Sequence, residues 1–168
     1  SPGYAQKVKT LVLGMQFEKV EEASIKGDKK GALKGYLRIY KSPESDKDAK
    51  KTAAYNIAVL FYEAGNWKQM YGWADRAVVM MEKEEILKFE KDFILFATDL
   101  FQRRQFTESA ALSEKIFDKL CLSKTKNLGV FFKNANVVYL ADKQFEKSSA
   151  LLGKAPKCGL GNDVVLPG

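Results

Sequence analysis

The sequence predicts an all-α protein built as four helical hairpins, eight helices in all. Three observations carry this. The interhelical turns keep a clock, with Gly27-Asp28, Gly65-Asn66, Arg104-Gln105 and Lys143-Gln144 spaced 38, 39 and 39 residues apart. Three of them are followed at once by an aromatic: Trp67, Phe106 and Phe145. Between the turns, apolar residues recur at helical spacing, and no segment shows sustained period-2 alternation, so no sheet is expected. Self-similarity at such a period marks hairpins that bury their apolar faces against one another.

The first hairpin is expected over residues 8–26 and 29–41 and ends at Ser42-Pro43, because proline does not continue a helix. In the second, residues 54–64 carry a broad stripe of Tyr55, Ile57, Ala58, Phe61 and Tyr62. Gly65 closes that helix in the left-handed conformation, and 67–81 follows with Met70, Trp73, Ala74, Ala77 and Val78 inward. Ala58 and Ala77 are small enough to let the two helices cross closely. The third pair is placed at 88–103 and 106–122, the fourth at 126–142 and 145–155. Residues 1–155 thus form one helical repeat domain, with repeats near 8–41, 48–81, 86–122 and 126–155. The Gly/Pro-rich tail 156–168 is expected to be non-helical. Either it folds back with Val164, Val165 and Leu166 on the exposed end, or the chain continues in a parent protein; the second is favoured.

At 168 residues and 46% hydrophobic content the chain can bury a core. It holds no apolar run of membrane-spanning length and opens on no secretion-signal pattern. Ser1-Pro2-Gly3, with no initiating Met, reads as a processed terminus or the edge of a fragment. Compartment stays open between cytoplasm and, had a signal been removed, periplasm or exterior; oligomeric state is equally open. Net charge is +7, much of it within 26–51, where Lys30, Lys34, Arg38 and Lys41 follow i, i+4, i+8, i+11 spacing on one helix face. That patch is a solvated face or a site for an anionic partner. Cys121 and Cys158 lie 37 apart, near one repeat. Equivalent points on neighbouring hairpins sit roughly 10 Å apart, and a disulfide needs less than about 7 Å between Cα atoms, so two separate thiols are favoured.

Residues 51–81 resemble the tetratricopeptide repeat. Ile57, Ala58 and Phe61 in the first helix, the Gly65-Asn66-Trp67 turn, and Met70, Ala74 and Ala77 carry the likeness. Repeat three fits with Phe96, Ala97, Leu100, Phe106, Ser109, Ser113 and Ile116, repeat four with Ala135, Asn136, Tyr139, Phe145, Ser148, Leu152 and Ala155. Repeat one fits with Ala23, Gly27-Asp28, Ala32 and Tyr36, although Lys29 replaces the turn aromatic. The period exceeds the family's ~34 residues. The resemblance implies a right-handed superhelix whose concave face is lined by each hairpin's first helix. On this chain those positions are Phe17, Glu21, Ser24; Tyr55, Val59, Tyr62; Ile94, Thr98, Phe101; and Lys133, Val137, Leu140, with Asn56, Gln102, Lys133 and Asn134 as polar contacts. These residues meet a ligand or pack between adjacent hairpins. The family's carboxylate clamp is not supported, because Phe17, Glu21 and Leu95 stand where it needs other residues and Glu21 repels a carboxylate.

Little in the chain points to a reaction centre. It contains no His, which removes the commonest general base and most metal-ligand sets. The cysteines make no CxxC pair, and Gly159-Leu160-Gly161 follows no strand and opens no helix. The carboxylates Glu18, Glu21, Glu22, Glu82, Glu84 and Glu85 sit in charged helical stretches. No catalytic residue, metal or cofactor is expected. The expected role is a non-catalytic scaffold that binds a peptide or partner protein on its concave face. The alternative is an anionic polymer, whether nucleic acid, polysaccharide or membrane surface, held by the basic patch; nucleic acid is disfavoured because bases and aromatics do not interleave.

Overall fold

The computed structural model describes residues 2–161, with side chains from Ala5 onward. It is helical throughout, with no strand among the described residues. Among these residues nine α-helices follow in order: α1 (Pro2–Ile25), α2 (Lys29–Lys41), α3 (Lys47–Glu63), α4 (Trp67–Met80), α5 (Lys83–Lys88), α6 (Glu90–Gln102), α7 (Phe106–Lys119), α8 (Leu128–Ala141) and α9 (Phe145–Lys154). A 3-10 turn covers Pro156–Cys158. The expected eight becomes nine because the third hairpin's first arm is broken at Phe89, whose φ of −110° and ψ of 20° leave the helical region. The expected start at 88 missed α5, which the Glu82 N–H opens by donating to Glu85 Oε1 at 3.1 Å. The expectation for Val164, Val165 and Leu166 lies outside the described residues.

The four hairpin turns share one geometry. Gly27, Gly65, Arg104 and Lys143 all have positive φ, at 83°, 73°, 63° and 57°. At each, the following residue donates back five positions along the chain to close the helix: Asp28 N–H to Ala23 O at 2.8 Å, Asn66 to Phe61 at 2.9 Å, Gln105 to Leu100 at 2.8 Å and Gln144 to Tyr139 at 2.7 Å. This is the Schellman closure, which wants a residue free of left-handed strain. The first two turns supply glycine, and then an Asx side chain that caps the next helix. Asp28 Oδ1 accepts from Gly31 N–H at 2.9 Å and Asn66 Oδ1 from Gln69 N–H at 3.2 Å. The last two turns use Arg-Gln and Lys-Gln, and neither glutamine caps through its side chain.

The chain divides into two compact units, Ser1–Met80 and Met81–Gly168. In the first, α2 packs on both α1 and α3, and α3 on α4. Its core is rich in alanine: Ala32, Ala53, Ala54, Ala58, Ala74 and Ala77 are fully buried, Ala58 and Ala77 among them as expected. In the second unit α7 packs on α6 and α8, and α9 on α8. Phenylalanine fills this core, with Phe93 edge-on to Phe96 at 5.9 Å and Phe117 against Phe132 at 5.9 Å.

The expectation of two separate thiols is corrected: Cys121 and Cys158 are bonded, with Cα atoms 4.5 Å apart. Neither residue lies on the repeat lattice that set the ~10 Å estimate. Cys121 sits in the turn after α7 and Cys158 in the 3-10 turn beyond α9. The chain reverses there at Gly159, φ 95°, and the Leu122 N–H donates to Cys158 O at 3.1 Å.

Candidate functional site

In the second unit the structure brings Thr98 and Phe101 of α6 together with Lys133, Asn134 and Val137 of α8 around one shallow groove of about 300 Å³. Val130 is the remaining lining residue, and its side chain and that of Val137 are open to solvent. Helical spacing explains the α8 wall, since 130, 134 and 137 follow i, i+4, i+7. Sequence reasoning missed Val130, although extending the Lys133–Val137–Leu140 register back by one turn reaches it.

A buried polar network holds these walls in place. Ser109 Oγ donates to Ala97 O at 2.6 Å, and the Asn134 amide donates to Ser109 Oγ at 2.8 Å and Ser113 Oγ at 2.7 Å. One α7 stripe thus grips both α6 and α8, and Asn134's two donors are spent inside the unit. Thr98 Oγ1 donates to Ile94 O at 2.7 Å. Phe101 is braced edge-on by the turn residue Phe106 at 5.1 Å. Lys133 is exposed; Ile94, half-buried, and Gln102, exposed, lie on α6 outside this lining.

Behind the groove, Glu114 of α7 accepts from the Tyr139 hydroxyl at 2.9 Å and from Lys154 Nζ at 3.3 Å, while Asp118 takes Lys154 at 2.9 Å. Burial first, then Glu114, pushes the Tyr139 phenol well up. For Lys154, burial is the largest influence and pulls the ammonium down, but Asp118 and Glu114 together outweigh it and the net shift is upward.

In the first unit, Phe17 and Glu21 of α1 face Ala49 and Thr52 of α3 across a cleft of about 540 Å³. Its other carboxylates have structural work. Glu44 pairs with Lys9 at 3.0 Å, Asp46 caps α3 through Ala49 N–H at 2.8 Å, and Asp48 pairs with Lys51 at 2.8 Å. Tyr55 is buried, and the Asn56 amide donates to Thr52 O at 2.9 Å. Val59 and Tyr62 are half-buried, Tyr62 standing edge-on to Trp67 at 5.5 Å. Tyr62 and Phe101 belong to different units; both keep an accessible face.

Lys30, Lys34, Arg38 and Lys41 are all exposed on α2. Lys34 and Arg38 line a cleft of about 360 Å³ with Lys19, Val20 and Ala23 of α1, floored by Gly31 and Gly35. A Cβ on Gly35 would fall 2.3 Å from Val20 Cγ2, so this glycine is needed for the helices to approach. No cluster of three or more His, Cys, Asp or Glu suited to a metal occurs among the described residues. None of their helices is long and apolar enough to cross a membrane. No protein-family model, curated protein or solved structure matches the chain.

Proposed function

We propose that the chain is a non-catalytic protein-interaction scaffold, a helical-hairpin array of the tetratricopeptide type wound as a right-handed superhelix, that binds a peptide or partner protein. The observation that supports this best is the α6–α8 groove. Four of its six lining residues, Thr98, Phe101, Lys133 and Val137, stand at positions that the resemblance assigns to the concave face, Asn134 was expected as a polar contact, and two valines there stand open to water. Exposed aliphatics along a rigid groove lose hydration when a partner's apolar side chain covers them. The groove's backbone is already fixed by the Ser109–Asn134–Ser113 network, so little ordering has to accompany binding.

The test is affinity capture with the full chain, comparing wild type with Val137→Asp. Val137 is 51% exposed, so this variant should keep its fold, checked by an unchanged melt. Capture of a reproducible partner that falls at least about tenfold with Val137→Asp supports the groove. A partner retained equally by Val137→Asp and by a second variant, Phe101→Ala, places binding elsewhere.

A further inference from the structure

The α1–α2 hairpin of the first unit presents a second surface with a different composition. Along α1, Val8, Leu11, Val12 and Met15 are 41%, 65%, 47% and 54% exposed, while Leu13, Phe17 and Val20 turn toward the protein. Val8, Val12, Met15 and Lys19 follow i, i+4, i+7, i+11, so the apolar stripe runs directly into Lys19 on the same helix face. Lys19 in turn shares its cleft with Lys34 and Arg38 of α2. From Lys34 and Arg38 the basic row extends along α2 to Lys30 and Lys41. One face of the hairpin therefore joins four exposed aliphatic side chains to five exposed cations. Four acids bear on it. Asp28 in the cleft is engaged as the α2 cap, Glu44 beside Val8 and Val12 pairs with Lys9, and the exposed Glu18 and Glu22 continue the Leu11–Met15 row of α1.

We propose that this face docks on an anionic lipid surface, the hairpin lying in the plane of the interface. The cations meet anionic headgroups while Val8, Leu11, Val12 and Met15 enter the boundary of the acyl region. The charge pattern alone would also suit a nucleic acid. The side chains beside the cations decide between the two, because single-strand binding relies on aromatic platforms and this stripe is wholly aliphatic. Aliphatic groups gain from leaving water for hydrocarbon and have nothing to stack. This surface is independent of the α6–α8 groove and stands whether or not that groove binds a peptide.

The experiment measures partition of the full chain onto vesicles of phosphatidylcholine alone and of phosphatidylcholine with about one third phosphatidylserine. Binding is expected only to the anionic vesicles and should weaken as salt shortens the screening length. At roughly fivefold per cation, Lys34→Gln with Arg38→Gln should reduce the partition coefficient about 30-fold, while Lys34→Arg retains it. Val12→Ser with Met15→Ser should reduce it about tenfold. All these side chains are exposed, so unchanged circular dichroism and melting are expected. Equal binding to neutral and anionic vesicles overturns the proposal, as does no binding to either. Partition indifferent to Val12→Ser with Met15→Ser also overturns it, because adsorption would then be purely electrostatic. Tighter binding to a single-stranded oligonucleotide than to the anionic vesicles, unaffected by that pair, assigns the face to nucleic acid instead.

Discussion

Arg104 and Lys143 occupy backbone positions that the first two turns give to glycine. Their φ values, 63° and 57°, lie in the left-handed region, where an L side chain crowds the following carbonyl at a cost of about 1–2 kcal/mol. Glycine removes that strain but loses more chain entropy on folding, about 0.5–1 kcal/mol. Arg104→Gly and Lys143→Gly should therefore each stabilise the protein by about 0.5–1 kcal/mol. Both side chains are exposed, so little packing is lost with them. For a chain of this size each substitution should raise Tm by about 1–4 °C. The sites lie 39 residues apart on separate turns, so the double variant should show the sum. The converse is equally specific: an added Cβ at Gly27 or Gly65 meets nothing within 4 Å, so Gly65→Ala should cost about 1 kcal/mol through the backbone alone. Urea and thermal melts of the four variants provide the assay. A lower Tm for Arg104→Gly, or no loss for Gly65→Ala, would refute the shared-turn reasoning.

Two further outcomes concern the second unit. The Cys121–Cys158 bond closes a loop of sequence separation 37, so Cys158→Ser should cost up to about 4 kcal/mol by loop entropy. The loss should register as a lower urea midpoint and faster amide exchange at Leu122, whose N–H is held by Cys158 O; an unchanged midpoint would mean the reduced chain keeps the same turn. Stability should also fall at alkaline pH. Lys154 is raised above its ordinary 10.5 and Tyr139 above its ordinary 10.0, so their contributions are complete below those values and decline as pH rises through the folded ones. Chemical-denaturation curves from pH 8 to above about 11 should show that decline, and Tyr139→Phe should flatten it.

The two units differ in how much of their structure local chemistry dictates, and this decides what the sequence revealed. In the first unit each turn carries its own instructions, a glycine for the left-handed residue and an Asp or Asn for the next cap, so hairpin positions were legible to within a few residues. The clock then carried those positions onward to Arg104-Gln105 and Lys143-Gln144, where propensity alone argues against a turn. Of the groove residues, Thr98, Phe101, Lys133 and Val137 were legible from the equivalent helix positions that the resemblance supplies, and Asn134 only as a polar contact beside them. What escaped reading depends on long-range geometry. The break at Phe89 interrupts a stretch whose apolar periodicity continues on either side, and the disulfide joins two turns that follow no repeat register.

The weak turns of the second unit also account for where its tertiary ties fall. Turns without glycine or a side-chain cap leave α7 and α9 less firmly started than α2 and α4. Around these two helices the structure concentrates its cross-links. Ser109 and Ser113 accept Asn134 of α8, Ser148 Oγ donates to Asn136 Oδ1 at 2.6 Å, Lys154 of α9 bridges Glu114 and Asp118 of α7, and Cys158 ties the end of α9 to the end of α7. Contacts of this kind fix the relative positions of α6, α7 and α8, which local caps cannot do. A groove needs that fixity more than it needs well-capped helices, because its width is set by interhelical distance. Glycine at 104 and 143 should accordingly raise stability while leaving the groove unchanged, whereas loss of the Asn134 network should loosen the groove even if the helices persist.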